Sequence, residues 1–518
     1  MEDQGTVRLE SPLPRSILAC LPLLWSRMMF PGRGDQAGNW RWQSLLVLLI
    51  VPAAILYPCM SFYLFEPDEG RYAQIPREML AAGEWTVPLL QNEPYLDKPP
   101  LFYWLVMGSY WLFGISEWTA RLVPALAIHG CVLVTYFLGR RSLGERPALW
   151  GALILALSPA FVGMGRLLIL DGLLAFWVTL SILAAFEALR GPKLRQGWWL
   201  LSALACGLGI LTKGPVALIL LAPPIWLQRR LAGKTAPLTW RSFFTFSAVM
   251  LLVALPWYVA VCLRLPEFAG HFLWEHNLLR FLMPFDHLRP IWFYAPILLA
   301  GMLPGSLLLV PFLRFLGTGK EEIASCRSPE LGFMLLAGGW CVLFFSLSGC
   351  KLPTYILPAY PFLALALGTY VVHSRWQASR WGRAVLVAAF AILLVGHYEV
   401  IPHLAQARSP MGRPQAILEC CNDRTIPVVC YPRPVDSMAF YLGRNDLRSY
   451  RSKETPDLVR FLQDRPRTVV LFGHRHSLQQ LKEVLPPGLS MTRTEPMGLC
   501  HMAVVSRLEQ PSVPLPER

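Results

Sequence analysis

The chain has 518 residues, 54% of them apolar and only 15% charged, with a mean hydropathy of +0.42 and a net charge of +14. That composition excludes an ordinary soluble globular domain and points to a polytopic membrane protein. The positive charge does not mark a nucleic-acid binder, because the basic residues are scattered through short loops between apolar runs and line no single face.

Residues 1–42 mix Pro, Gly and Arg around a short apolar patch, Ile17 to Trp25, with no small-residue cleavage site after it. They read as a cytoplasmic arm. Eleven apolar runs follow, at 43–63, 119–139, 147–164, 171–189, 197–211, 215–228, 243–263, 292–313, 331–348, 352–372 and 384–401. A hydrocarbon core of about 30 Å takes roughly 20 such residues to cross. The expected fold is an all-α polytopic membrane protein of about 11–13 spans over 43–401, with interfacial helices and a small soluble α/β domain over 402–518.

The segment "PPLFYWLVMGSYWLFG" (Pro99–Gly114) is apolar but short. Counting it as a crossing would invert every later loop, so it reads as an interfacial or re-entrant helix rich in Trp and Tyr. With a cytoplasmic N-terminus, the inner loops then carry Arg140, Arg141 and Arg146, then Arg190, Lys193 and Arg195, then Arg229, Arg230, Lys234 and Arg241, then Arg375, Arg380 and Arg383. This is the positive-inside pattern. The runs 197–211 and 215–228 are short and read as a hairpin with Lys213-Gly214-Pro215 at its outer tip.

The first outer loop, 64–118, holds a dense set of charges. Pro67-Asp68-Glu69-Gly70-Arg71-Tyr72 reads as a helix start, with Arg71 at i+3 from Asp68. Acids at the positive end of a helix dipole account for Asp68 and Glu69 as readily as catalysis does. Tyr95, Asp97 and Lys98 return to the same surface. Asp171 opens a span, where N-capping competes with acid or base chemistry. Lys213 and Lys351 each stand at the outer end of an apolar helix. Snorkelling explains either lysine alone. Together with Arg71 and Lys98 they form an anion site suited to a phosphate at the lipid surface.

Tyr355 and Tyr360 either add phenolic donors or anchor a helix at the interface. The outer loop 264–290 offers His271, Glu275, His276, Arg280, Asp286 and His287, in a spacing that matches no standard zinc pattern. In the tail, "IPVVCY" and "RTVVLFG" read as strands, "DSMAFYLG" and "DLVRFLQD" as helices, and no motif there is catalytic. Cys420, Cys421, Cys430 and Cys500 leave a disulfide open.

In this order, "PDEGRYA", "YLDKPPLFYW", "RLLILDG", "LTKGP", "EHN" and "KLPTYILPAYP" resemble the bacterial aminoarabinose transferase family of the GT-C class, alongside protein O-mannosyltransferases. The resemblance covers about residues 43–401 and implies a GT-C membrane glycosyltransferase with its active site at the outer face of the bacterial inner membrane. It implies a polyprenyl-phosphate-linked sugar donor and a lipid or glycan acceptor such as lipid A, in a monomer. Asp68 is then the principal catalytic acid or base, and Asp171, with Glu69 close by, a further functional carboxylate. Arg71, Tyr95, Lys98 and a tyrosine of "KLPTYILPAYP" would hold the lipid phosphate. A divalent metal would bridge Asp97 and His276, although the family more often places Glu before that lysine. The rival readings are a flippase or transporter of lipid-linked sugars, and a GT-C transferase acting on protein or polysaccharide. Neither internal repeats nor midplane charges favour the transporter.

Overall fold

The computed structural model describes residues 42–231, 235–283, 287–412, 414–421 and 423–508. The arm expected before Trp42, and Asp286, lie outside these. A helix occupies each of the eleven expected runs. In chain order they are α1 (Trp42–Leu56), the outer-loop helices α2 (Asp68–Ala82) and α3 (Leu101–Phe113), then α4 (Glu117–Leu143) and α5 (Glu145–Ala156). There follow α6 (Asp171–Leu189), α7 (Gln196–Lys213), α8 (Val216–Leu231) and α9 (Trp240–Arg264). The chain continues through a bent pair, α10 (Ile291–Gly301) and α11 (Gly305–Gly317), then α12 (Pro329–Leu347), α13 (Pro353–His373) and α14 (Arg380–Arg408).

Among the described residues, six helices are long and apolar enough to cross a membrane, seven if the pair bent by 104° is one span. Cover from neighbours accounts for one of the shorter helices: α5 has only 12 residues, and nine of these are buried. Small residues let it sit directly on α13. A Cβ on Gly368 would lie 2.3 Å from the Pro147 carbonyl oxygen and 2.5 Å from the Gly151 nitrogen, a backbone-to-backbone approach typical of packed membrane helices.

The charges separate to the two ends of this bundle. Asp171 begins α6, and Glu187, 3% exposed, lies near its end. At 1.5 Å per residue they are about 24 Å apart. Glu187 gathers Arg141 at 3.1 Å, Arg190 at 3.8 Å and Arg195. The first two loops read as inner therefore meet at one end of the bundle, opposite the end where Asp171 lies.

At that other end, α2 and α3 lie with a two-stranded hairpin, β1 (Leu89–Leu90) and β2 (Glu93–Pro94), between them. Pro99–Gly114 is helical as expected, and it leaves Trp111, Leu112 and Phe113 exposed for an interface. A π-helical segment, Gly270–Leu279, closes over the α7–α8 hairpin. Gly214, at φ +93, forms the hairpin tip, and Phe272 packs so close that a Cβ there would lie 2.9 Å from its ring.

The tail folds into a five-stranded sheet. Its elements are α15 (Pro414–Cys421), β3 (Val428–Tyr431), α16 (Asp436–Leu442), β4 (Arg448–Ser449), α17 (Thr455–Gln463), β5 (Arg467–Phe472), α18 (Arg475–Val484), β6 (Leu489–Met497) and β7 (Cys500–Arg507). The strand order is β4-β3-β5-β7-β6, parallel for the first three and antiparallel beyond. Val428, Cys430, Val469 and Leu471 pack with α15 and α16 on one face, and Val429, Tyr431, Val470 and Phe472 with α17 and α18 on the other. Alternation at period 2 feeds both cores. Cys420, Cys421, Cys430 and Cys500 are free and buried, so they serve this packing and form no disulfide.

Candidate functional site

The first turn of α2 sends its two adjacent acids in opposite directions. Asp68 has a side chain 55% exposed and lies 3.9 Å from Arg71 Nη1. Glu69 points inward and is 2% exposed. Its carboxylate accepts from Arg121 at 2.9 and 2.7 Å, from the Leu168 amide at 2.7 Å and from the Phe65 amide at 2.9 Å. Arg121 donates onward to the Met60 and Phe62 carbonyls at 2.8 and 2.6 Å. Both charges of this buried pair are fully engaged, which is what allows it to be buried. Glu69 ties the outer loop to the bundle, and both its oxygens accept from protein donors.

Asp171 does not cap α6; no side-chain cap bond is present. Instead Lys213 Nζ donates to Asp171 Oδ1 at 2.5 Å, and the same ammonium lies 4.3 Å from the centre of the Tyr355 ring. The tip of the α7–α8 hairpin is thereby held against the start of α6. Lys98 Nζ donates to the Asp97 carbonyl at 2.9 Å. Burial, with Lys213 and Arg280 nearby, lowers the Lys98 ammonium to about 8 despite the pull of Asp97 and Asp171. Three cations and two carboxylates from four elements thus share one electrostatic neighbourhood.

Arg71 and Tyr95 join it from α2 and the hairpin. The Arg71 guanidinium lies 5.8 Å from the Tyr95 ring centre, and the Tyr95 phenol feels the charges of both Arg71 and Asp97. Burial and the Asp97 charge raise the Tyr95 phenol. Arg71 Nε also lies 3.4 Å from Asp436 Oδ2, on α16.

Asp97 faces two imidazoles: its Oδ1 lies 3.2 Å from His276 Nε2 and 3.3 Å from His271 Nε2. The three ligand atoms fall within 4.8 Å of one another, the one such group among the described residues. His271 Nδ1 lies 3.1 Å from Glu275, a carboxylate behind an imidazole of the kind that orients metal ligands. His276 Nδ1 is buried with no partner. Burial would raise Asp97, but Lys98 and His276 hold its carboxyl below the usual carboxylate range. One carboxylate oxygen and two imidazole nitrogens suit a divalent transition metal.

Two residues expected at the site are elsewhere. Lys351, 3% exposed, donates to the carbonyls of Arg289 at 3.0 Å and of Ser348, so it joins the end of α12 to the loop before α10. Tyr360 is buried in the main bundle core against Gly301 and Phe161. Tyr355, not Tyr360, is the tyrosine of "KLPTYILPAYP" that reaches the site.

Glu66 and Asp436 were not assigned to the site from the sequence, and His271 and Arg280 were named only among the candidates of the outer loop 264–290. His271 stands five residues before His276 and becomes its neighbour because the π-helical turn brings the rings to 4.7 Å. Glu66 Oε1 accepts the Ser437 amide at 2.6 Å across the boundary with the tail domain. Burial and the neighbouring Asp436 raise the Glu66 carboxyl to about 7. Burial raises Asp436 to about 6, against Arg71.

The family model described as dolichyl-phosphate-mannose-protein mannosyltransferase matches residues 38–272. An undecaprenyl phosphate-α-4-amino-4-deoxy-L-arabinose arabinosyl transferase of Pseudomonas fluorescens is 37% identical over 352 residues, covering 66% of this chain and 60% of that protein. The Edwardsiella ictaluri enzyme of the same name is 35% identical, covering 68% and 63%. A Sodalis glossinidius enzyme of the same name is 34% identical over 395 residues, covering 73% and 67%. The matched region thus spans less than two thirds of the Pseudomonas and Edwardsiella proteins. Crystal structures of ArnT from Cupriavidus metallidurans, without ligand and bound to undecaprenyl phosphate, align with TM-scores of 0.72 and 0.70 at 20% identity. Each covers 90% of this chain and 97% of that one. The structures show the shared fold, and the identity and extent of the match to the Sodalis enzyme place this chain in the undecaprenyl phosphate-aminoarabinose arabinosyl transferase family.

Proposed function

We infer that this chain is an integral-membrane glycosyltransferase that moves a sugar from a polyprenyl-phosphate donor to an acceptor at the outer face of the bacterial inner membrane. The relatives are named for undecaprenyl phosphate-linked aminoarabinose, and that donor, with lipid A as acceptor, is the reading proposed for this chain. The observation that carries it is the cluster of Lys98, Lys213, Arg280 and Arg71 around Asp68, Asp97 and Asp171 at one end of the bundle. Such a cluster at a lipid surface suits a head group that is both a phosphate and a leaving group.

In the reaction the bond between the sugar's anomeric carbon and the phosphate oxygen breaks, and its electron pair leaves with the lipid phosphate. An acceptor oxygen forms the new bond to that carbon. Lys98 and Arg71, with Tyr95 and Tyr355, stabilise the charge on the departing phosphate; Asp171 keeps Lys213 in the same group. Asp68 is the exposed carboxylate. With a hydroxyl acceptor it takes the proton; with a phosphate acceptor no proton is lost, and it orients the sugar or offsets the developing positive charge. Asp97, His271 and His276 would hold a divalent cation, which would add positive charge beside the phosphate.

The test is transfer by the purified protein in lipid nanodiscs from undecaprenyl phosphate-aminoarabinose to lipid A, followed by mass spectrometry. Modified lipid A with the wild type, and loss of about 100-fold or more with Asp68→Asn, is the expected result. Equal turnover by the two proteins would remove Asp68 from the mechanism.

A further inference from the structure

The tail domain presents a particular edge to the site. In the order β4-β3-β5, the chain leaves β3 toward β4 on one side and returns past it to β5 on the other. The gap between β3 and β5 is therefore the topological switch point of the sheet, the place where loops diverge and open α/β proteins bind their ligands. Here the loop leaving β3 at that point starts α16 with Asp436 and Ser437, and it is filled by the first outer loop of the membrane domain.

The fit is close. The Ser437 amide donates to Glu66 at 2.6 Å, and a Cβ on Gly70 would lie 2.4 Å from the Ser437 nitrogen. One residue further along α2, Arg71 Nε lies 3.4 Å from Asp436 Oδ2. Asp436 is 2% exposed, while the Arg71 side chain keeps 23% of its surface open. The remaining contacts of that guanidinium are with Asp68 at 3.9 Å and with Tyr95. One planar cation therefore has a fixed acid from the tail domain on its Nε edge and the site on its other edge.

We propose that Asp436 is a positioning residue for sugar transfer, fixing the Arg71 guanidinium toward the donor phosphate so that the tail domain completes the active site. A guanidinium has five N–H donors in a rigid fork. Paired through charge at its Nε edge with a buried carboxylate, it keeps its two terminal nitrogens for the ligand; without that carboxylate the fork rotates about its flexible stem. The charge of Asp436 acts at short range and away from water, where it is weakly screened. A pure docking contact would join the domains equally well through Glu66 and Ser437, and would leave donor binding untouched.

This inference rests on the glycosyltransferase reading, and the experiment separates the two. Four full-length proteins in nanodiscs are compared: wild type, Asp436→Asn, Arg71→Gln and the double variant. Undecaprenyl phosphate-aminoarabinose and lipid A are the substrates, and binding of undecaprenyl phosphate is measured in parallel by native mass spectrometry. Asp436→Asn is expected to raise the donor KM about tenfold, the scale of one weakly screened ion pair, with kcat nearly unchanged. In the Arg71→Gln background it should add nothing, and Asp436→Glu should recover part of the loss. Unchanged KM, or a loss that adds to that of Arg71→Gln, overturns the proposal. If Asp436→Asn proves unstable, Asp436→Glu decides alone: a wild-type KM for the displaced carboxylate overturns the positioning role, and a raised KM supports it. If the wild type transfers no sugar, the glycosyltransferase reading falls, and the same pattern in phosphate binding still decides the role of Asp436. A wild type that binds no undecaprenyl phosphate overturns both.

Discussion

Lys213 Nζ and Asp171 Oδ1 lie 2.5 Å apart, so the tip of a helical hairpin is locked to the first turn of the helix beside it. Their side chains are 16% and 13% exposed, so the pair is largely out of water. Removing one member leaves the other charge without compensation, at a cost of about 3 kcal/mol. Asp171→Asn is therefore expected to lower thermal stability and to cut sugar transfer. Adding Lys213→Met should recover the stability and not the transfer, as read by thermal unfolding in detergent and by turnover. If the double variant were no more stable than Asp171→Asn, the pair would not be the cause of the loss.

Asp68 and Glu69 are neighbours in sequence and opposites in environment. Glu69→Gln breaks a fully buried pair with Arg121 and is expected to cost on the order of 3 to 5 kcal/mol. The yield of monodisperse protein in size-exclusion chromatography should fall accordingly. Asp68→Asn, at an exposed side chain, should leave that yield unchanged while transfer is lost. Matching yields for the two variants would show that the two acids do not divide the work between structure and chemistry.

How much of this was legible in the sequence follows from what each feature depends on. The helices were readable because each needs a long apolar run, and Asp97, Lys98 and Lys213 were readable because a charge at the outer end of such a run is conspicuous. Which of Asp68 and Glu69 faces the bundle was not, since adjacent helix positions differ by only about 100° and the loops carry no marker of the core direction. Lys351 looked like Lys213, yet its ammonium is consumed by two carbonyls, a fate set by the fold of the chain around Ser348. Tyr360 fell inside because, five residues past Tyr355 on α13, it points into the core against Phe161. Asp436 and Arg71 are far apart in the chain and meet only through docking of two domains. The β6–β7 hairpin was missed because its first strand, Leu489–Met497, is mostly polar and half exposed.

Gly70 provides a direct test of that docking. Alanine in place of glycine favours an isolated helix by about 1 kcal/mol, so α2 by itself should gain. A Cβ at this position would instead meet the Ser437 nitrogen at 2.4 Å and the Asp436 carbonyl carbon at 3.0 Å. Those atoms are backbone and cannot rotate away. Gly70→Ala should therefore speed hydrogen exchange in α16 by about tenfold or more while the exchange of α4 and α6 is unchanged. Unaltered protection of α16 would mean that the two domains tolerate separation at this point.

The imidazole pair around Asp97 leads to a prediction about metal content. Protein purified without chelator is expected to carry about one divalent transition-metal ion per chain by mass spectrometry of the elements. His276→Ala and His271→Ala should each reduce that content at neutral pH. Content equal to wild type in both variants would place any metal elsewhere.

Glu66 and Asp436 make the joint between the domains depend on pH. Burial, together with the Asp436 charge, raises Glu66 to about 7, and burial raises Asp436 to about 6. The groups facing them are Arg71, Asp68, Glu78 and the Ser437 amide. Both folded-state values lie above those of free carboxyls, so between about 4 and 7 the docked state binds more protons than the separated one. The stability contributed by this pair is then complete at acid pH and is lost as the pH rises through 6 and 7. Hydrogen exchange of α16, corrected for the intrinsic pH dependence of exchange, should show stronger protection at pH 5.5 than at pH 8. Glu66→Gln removes the group with the higher value and should flatten most of that difference. Protection that instead grew toward pH 8 would mean that Arg71 outweighs burial at both carboxyls and holds them ionised.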